Sequence, residues 1–247
     1  MSTETEEDLA AEYSRNLIIP SYDVGLGDTL KLGSAMRLAQ ETGEQHLDRL
    51  GVGFEDLRKK TGLVFFMVSA RIRIFRFPTH REAVRIFTRP RGQNKAEYYR
   101  DFRFFGAGDK PLLSVMQVTV LADAQTHCVK RVRDLQGFGP DATGPVKPDE
   151  LCRRIRLPEG LAPLGERRVF RSDLDANSHM NNAVYGDIVI DFLPPEARST
   201  AREIEINFVN EVSEGDVLHI CGGKSGGKFY LSGSTGAGVS FTASSLL

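Results

Sequence analysis

The sequence predicts an α+β fold made of two similarly built units in tandem. Three observations carry that expectation. A short strand, a helix and several antiparallel strands follow one another in the same order twice, and turn residues cut the strand-like runs apart. Between the two occurrences, Asp134 to Gly165 holds five prolines (Pro140, Pro145, Pro148, Pro158, Pro163) and five glycines (Gly137, Gly139, Gly144, Gly160, Gly165), a density that no regular element tolerates. The expected units are residues 1–134, with 1–12 frayed, and residues 165–247, joined by a linker over 135–164. A crossover of that length can run over the back of one sheet and let the halves share a continuous, pseudo-two-fold sheet, with CRRIRLPEG docked on it.

Each element has its own signal. From Leu17, LIIPSYDVGLGDTL is a short apolar strand followed by Gly and Asp turn residues. Met36, Ala39, Gly43, Leu47 and Leu50 then step by three, four, four and three, the apolar stripe of a helix, and Gly51 stands where a glycine would end it. Four strand-like runs follow, Val64 to Phe75, Ala83 to Thr88, Ala96 to Phe105 and Leu112 to Ala122, separated by Pro78, PRGQN and GAGDKP. In the first, Arg71, Arg73 and Arg76 fall among Ile72, Ile74 and Phe75, giving one basic and one apolar face, as in a sheet that covers a helix and shows its back to water. Beyond the linker come a strand over Arg167 to Arg171, a helix starting near Asn182, and strands over Ile204 to Asn210, Asp216 to Cys221, Lys228 to Ser232 and Gly238 to Ala243. Strand, helix and antiparallel strands in that order describe a hot-dog domain, an antiparallel sheet wrapped on a central helix; the chain reads as two in tandem.

Composition narrows the function classes. With 40% hydrophobic and 26% charged residues and a formal net charge of −1, the 247-residue chain resembles an ordinary globular protein and offers no global case for nucleic acid. Neither a basic n-region nor an apolar run of membrane-spanning length is present, so a cytoplasmic location without membrane insertion is expected. Cys128, Cys152 and Cys221 form no CxxC pair, which argues for free thiols rather than disulfides or structural zinc. GGKSGGK, from Gly222 to Lys228, mimics a phosphate-binding loop, but Phe229 replaces the magnesium-holding Ser or Thr and strand alternation continues where a helix should open, so a hairpin turn is expected. GFGPDATG lacks the spacing of a dinucleotide site, and no cofactor is expected.

The densest polar stretch is Arg171 to Phe192, RSDLDANSHMNNAVYGDIVIDF. In an extended segment Asp175, Asn177 and His179 would share one face and present a carboxylate, an amide and an imidazole together. Asn181 and Asn182 precede the apolar spacing of Val184, Ile188 and Phe192, so an Asn can cap a helix whose N-terminal N–H groups point back toward that cluster as an oxyanion pocket. Two other readings compete. A calcium loop matches at Asp173, Asp175 and Asn177 but fails at Ser178 and Val184, where Gly and a bidentate Glu are required. An Asx-rich turn that merely caps the helix fits the same residues. Glu211 breaks the alternation of Ile204, Ile206 and Phe208 at the end of a strand, where it either reaches a pocket or faces water.

The string DLDANSHMNNAVY resembles the signature of acyl-acyl carrier protein thioesterases, matching at every fixed position. QETGEQHLDRLGVG, FRFPTHREAVRIFTRPRG and YYRDFRFF are similar to further family segments, so the resemblance covers roughly residues 13 to 244. It implies hydrolysis of the thioester of fatty acyl-acyl carrier protein, releasing free fatty acid, with Asp175, Asn177, His179 and Glu211 as catalytic residues, helix N–H groups after Asn181 and Asn182 for the oxyanion, and no metal. Glu211 or Asp175 would activate water while His179 and Asn177 position the reactants; a covalent acyl intermediate stays open. Two departures stand out: Val212 follows Glu211 where plant members have a cysteine, and the chain has no tryptophan. His46 and His219 are expected outside the chemistry. A 3-hydroxyacyl thioester dehydratase and a non-catalytic acyl-binding protein remain the alternatives on the same fold, and a homodimer is left open. Acyl carrier protein is acidic, so the basic run Arg71, Arg73, Arg76, Arg81, Arg85, Arg89 and Arg91 is the expected docking face, a solvated strand face being the alternative.

Overall fold

The computed structural model describes residues 12–130 and 146–246. Residues 1–11 of the stretch expected to be frayed (1–12), and residues 135–145 of the expected linker (135–164) with Pro140 and Pro145, lie outside the described residues. The strands are β1 Tyr13–Ile18, β2 Leu63–Ile74, β3 Ala83–Asn94, β4 Glu97–Phe105, β5 Pro111–Asp123, β6 Ala162–Arg168, β7 Glu203–Phe208, β8 Val217–Ser225, β9 Lys228–Thr235 and β10 Gly238–Leu246. The helices are α1 Leu32–Arg49, α2 Phe54–Thr61, α3 Asn182–Phe192 and α4 Pro195–Thr200. The strands form one antiparallel sheet in the order β1-β3-β4-β5-β2-β7-β10-β9-β8-β6. Renumbering the second half as a copy of the first makes that order a palindrome centred on the β2–β7 pair, so the continuous pseudo-two-fold sheet expected from the linker length is present.

The two long helices, α1 and α3, lie against the same side of the sheet and against each other. Ile72, Phe102, Phe104 and Val115 of the first half belong to one core with Tyr185, Ile188, Ile204 and Phe241 of the second. Where α1 crosses α3, Gly33 and Gly186 let the backbones meet: a Cβ on Gly186 would lie 2.8 Å from Met36 Sδ, and one on Gly33 would lie 2.7 Å from the Ala183 carbonyl oxygen. Gly33 N–H also donates to Asp187 Oδ1 at 2.9 Å.

At the seam, Ser69 to Arg73 of β2 stand opposite Asn207 to Glu203 of β7. The basic face of β2 therefore meets an acidic face: Arg73 Nε donates to Glu203 Oε2 at 2.7 Å, and Arg71 lies 3.8 Å from Glu205 Oε1. The linker crosses behind this seam. Arg71 donates to the carbonyl oxygens of Glu150 (2.8 Å) and Leu151 (3.4 Å), Ile155 N–H donates to Asn207 Oδ1 at 2.7 Å, and Val146, Leu151 and Cys152 pack on Tyr99, Met116 and Val118.

Several boundaries differ from expectation for a common reason. PRGQN does not end a strand: β3 runs through it with a bulge between Pro90 and Gly92. β1 covers β3 only as far as Thr88, so the missing Pro90 N–H falls on an edge, where it costs no ladder bond. The strand expected over Arg167 to Arg171 likewise lies earlier, as β6 from Ala162 to Arg168 on the sheet's outer edge, with a bulge between Pro163 and Gly165. GGKSGGK closes the β8–β9 hairpin, as expected: Ser225 pairs with Lys228 across Gly226 (φ 55°) and Gly227 (φ 76°), the two positive φ values that a type I′ turn demands and glycine supplies. Helices α2 and α4 carry too little periodicity to predict, since only Leu57 of α2 is buried.

Candidate active site

The stretch from Asp175 to His179 is a closed turn, and the extended geometry expected for it does not hold. Asp175 N–H donates to the His179 carbonyl oxygen at 2.9 Å, Leu174 bridges Met180, and Ser178 sits at φ 65°. The physical cause is Asp175 itself, whose Oδ1 accepts from the N–H groups of Asn177 (2.8 Å) and His179 (3.4 Å) and so stabilises a turn in place of a strand. Asp173 supports the turn from below: it is buried, accepts from Phe170 N–H at 2.9 Å, and pairs with Arg167 at 2.8 Å.

The turn delivers His179 to Glu211, three residues beyond the end of β7. His179 Nε2 lies 3.3 Å from Glu211 Oε2. The carboxylate's other oxygen, Oε1, lies 3.4 Å from His127 Nδ1, so Glu211 stands between two imidazoles whose rings meet edge-on with centroids 6.1 Å apart. His127 belongs to the first half, in the turn after β5, where it is held at φ 56° by its N–H bond to Asp123 O (2.9 Å) and by a ring contact with Phe66 (5.0 Å). Nothing in the sequence flags it: it sits in an ordinary polar turn, and its partner is reached only through the β2–β7 seam.

Asn181 is the N-cap of α3, its Oδ1 accepting from Ala183 N–H at 2.9 Å. That bond uses one of the donors expected to face an oxyanion. Asn181 lies outside the main cavity, whereas Asn182, the first residue of the helix, lines it. The cavity has a volume of about 820 Å³ and is walled by α1, α2 and the first-half strands, with Asp175, Asn177, His179, Asn182, Tyr185 and Glu211 at one end. Burial, reinforced by the Glu211 carboxylate, pushes the Tyr185 phenol up, which keeps it protonated, and its ring packs edge-on against Phe208 and Phe241.

The first half contains the same turn without the chemistry. Gly25 N–H donates to Thr29 O at 2.9 Å as Asp175 does to His179; Lys31 N–H donates to Asp23 O at 3.0 Å as Asn181 does to Asp173; Asp28 sits at φ 58° as Ser178 does at 65°. Leu30 N–H donates to Pro78 O as Met180 does to Val212, which sets Phe77 opposite Glu211. Glycine, glycine, threonine and phenylalanine thus stand where the second half has Asp175, Asn177, His179 and Glu211.

The other histidines lie elsewhere. His46 is buried, stacks on Tyr13 at 5.8 Å, and has Nδ1 3.0 Å from Arg100 Nη1; a guanidinium can only donate, so Nδ1 accepts and the proton sits on Nε2. His219 pairs with Glu166 at 2.9 Å between strands β8 and β6. Most of the basic run is paired. Arg71 is buried under the linker; Arg73, Arg76, Arg85 and Arg91 are paired with Glu203, Glu82, Asp109 and Glu150. Arg81 and Arg89 have no carboxylate partner among the described residues.

Two family models match the chain, acyl-ACP thioesterase N-terminal domain over residues 10–135 and acyl-ACP thioesterase C-terminal domain over residues 165–234. The chain is 24% identical over 232 residues to an oleoyl-acyl carrier protein thioesterase of Coriandrum sativum, covering 87% of this chain and 62% of that one. It is 24% identical over 207 residues to an acyl-[acyl-carrier-protein] hydrolase of Cuphea viscosissima, covering 76% of this chain and 48% of that one, so it spans only about half to three-fifths of these curated relatives. Its fold is that of an acyl-ACP thioesterase structure from Bacteroides thetaiotaomicron, with a TM-score of 0.85, 18% identity and 98% and 99% of the two chains covered. A 12:0-ACP thioesterase from Umbellularia californica aligns with a TM-score of 0.82 at 20% identity over 95% and 96% of the chains.

Proposed function

The chain belongs to the acyl-acyl carrier protein thioesterase family, and we propose that it hydrolyses the thioester of fatty acyl-acyl carrier protein, releasing free fatty acid and the carrier's thiol. The observation that carries this reading is Glu211 between His127 and His179 at one end of a cavity of about 820 Å³. A thioester carbonyl is already electrophilic and its thiolate leaves readily, so the protein must supply an activated water, a place for the oxyanion and a dry slot for the chain. Of the two carboxylates considered for the base, Glu211 fits better, because Asp175 spends Oδ1 on its own turn. Glu211 takes a proton from water, the resulting hydroxide attacks the carbonyl carbon, and the tetrahedral oxyanion faces Asn182 N–H and the Asn177 amide. Collapse breaks the C–S bond, and the proton held by the Glu211–histidine group passes to the departing thiolate. His179 and His127 orient the carboxylate, His179 through Nε2–H and His127 through Nδ1–H.

On this reading the first half provides the acyl wall and the second half the chemistry, with His127 crossing between them. An acyl carrier partner, a cytoplasmic location and the domain limits 1–134 and 165–247 are parts of the same proposal; no helix among the described residues is long and apolar enough to cross a membrane. The test is incubation with acyl-carrier thioesters of graded length, reading free acid and free thiol. Release of both is expected from wild type, while Glu211→Gln and His179→Ala should lose ~10²–10⁴-fold in kcat, the worth of a general acid–base group. An enoyl product in place of free acid would overturn the hydrolase reading in favour of a dehydratase.

A further inference from the structure

The cavity changes character along its length. On the side facing the helices, Phe208 of β7, Met67 of β2, Thr119 of β5 and Tyr98 of β4 line it from four successive strands. Met67 is the direct partner of Thr119, and Thr119 of Tyr98. The row therefore runs across the sheet, roughly 14 Å over three strand spacings. Arg100, two residues beyond Tyr98 and on the same face of β4, also lines the cavity. The slot thus leads from the Glu211 end outward to Arg100. Helix α1 closes over that far end, since a Cβ on Gly43 would lie 3.2 Å from the Phe102 ring and 3.6 Å from Arg100 Cδ. The next residue, Glu44, lines the same end, its carboxylate facing Phe54 N–H at the start of α2.

The far end is charged, and part of its charge is open to the slot. Arg100 uses only Nη1, which lies 3.0 Å from His46 Nδ1 and 3.4 Å from Thr88 Oγ1. Its Nε and Nη2 have no hydrogen-bond partner among the described residues, and neither is shut away from water. The guanidinium nevertheless lies deep: burial pushes it down to about 10, with the Glu44 carboxylate working against that shift. The surface that its open donors keep is therefore the cavity's own. The Glu44 carboxyl is raised, first by burial and then by Asp48.

A hydrocarbon chain gains from entering such a slot only while the walls are apolar. Each methylene buried beside Met67, Leu47 or Phe208 is worth a factor of ~4 in affinity. One laid on an open guanidinium and a carboxylate strips them of water and returns no hydrogen bond, which reverses the sign. Building on the thioesterase reading, we propose that Arg100 and Glu44 form the end wall of the acyl slot and set the longest chain that the protein accepts, the methyl terminus of its preferred substrate stopping short of them.

The test compares saturated acyl thioesters of successive lengths on the same carrier, assayed as kcat/KM with the full-length protein, with the matching free fatty acids titrated calorimetrically. Wild type should gain up to ~4-fold per added methylene until the chain meets the wall, and lose roughly 10-fold or more beyond it. Arg100→Met combined with Glu44→Gln removes both charges while keeping the bulk and an acceptor for Phe54 N–H, and should move the maximum of both profiles to a longer chain. Glu44→Gln alone should soften the fall beyond the maximum, which keeps the test decisive if the double variant does not fold. Profiles that keep the wild-type maximum and fall in every folded variant would overturn the wall while leaving the hydrolase intact, as would wild-type values that rise through the longest chain. A binding maximum that moves in the variants, with no acid released from any thioester by wild type, would instead sink the hydrolase reading and keep the wall.

Discussion

At the scale of single residues, the proposed mechanism divides the polar cluster into a group that would do the chemistry and groups that would place it. Asp175→Asn keeps an acceptor for the Asn177 and His179 N–H groups, so it should retain the melting temperature and lose far less activity than Glu211→Gln; a loss equal to that of Glu211→Gln would return the role of base to Asp175. His127→Asn removes an imidazole from Glu211 without touching the core. Its expected signature is a lower kcat and a changed pH–rate profile at unchanged melting temperature, and an unaltered profile would reduce His127 to a surface contact. A structural pair behaves differently under acid. The Arg76 guanidinium, bonded to both carboxylate oxygens at 2.6 and 2.8 Å, holds Glu82 down at about 2 against an ordinary 4.5. A depressed carboxyl stabilises the fold above its ordinary range and loses that contribution as pH falls through 4.5 toward 2. Wild type should therefore lose more melting temperature over that window than Glu82→Gln, as a paired thermal-melt series would show. Asp175, Asn177 and His179 stood out as a run, because polar residues concentrated in a short stretch leave a trace in one dimension, whereas Glu211, 32 residues further on, was picked out by the family resemblance and not by its local pattern. His127 was not, because the contact that defines it is made by the fold.

At the scale of elements, turn chemistry and capping decide where the site residues stand. Asn181→Ala removes the cap of α3 and should cost about 0.5–2 kcal/mol of stability with a smaller effect on kcat. Gly186→Ala is expected to be worse than helix propensity alone suggests. Alanine is the better helix former, yet its methyl would enter the space of Met36 Sδ at 2.8 Å, an overpacking typically costing about 1–3 kcal/mol. A melting temperature at or above wild type would mean that the α1–α3 crossing relaxes freely. Helix α1 and most strands were legible from period and punctuation. What misled was proline read as a terminator: Pro90 and Pro163 lie inside strands, and only the finished sheet reveals that each occupies an edge or a bulge.

At the scale of the whole molecule, the β2–β7 seam makes one body of two repeats. Arg71 ties that seam to the linker through Glu205, Glu150 and Leu151, so Arg71→Ala should lower the melting temperature, and its effect on KM should be the same for carrier-bound and pantetheine-bound substrates. Arg81→Glu, on an exposed turn, should do the reverse, raising KM for the acidic carrier more than for the pantetheine mimic; equal effects on both substrates would leave the docking face unlocated. The pseudo-symmetry was legible from the repeated order of elements. The charge balance was not, because the arginines of β2 and the glutamates that neutralise them are separated by most of the chain.

The vacant turn of the first half bears on how such a protein can change. Gly25, Gly27 and Thr29 hold the same backbone as the turn proposed to react, with Phe77 in the place of Glu211, and the helix and strands that follow them wall the cavity. Heredity can therefore tinker with one copy while the other stays under the discipline of catalysis. If the proposed function holds, substitutions that deepen, shorten or repolarise the slot fall in the repeat that carries none of the proposed chemistry, His127 aside, so a lineage built on this plan can acquire new substrate tastes without relearning the reaction.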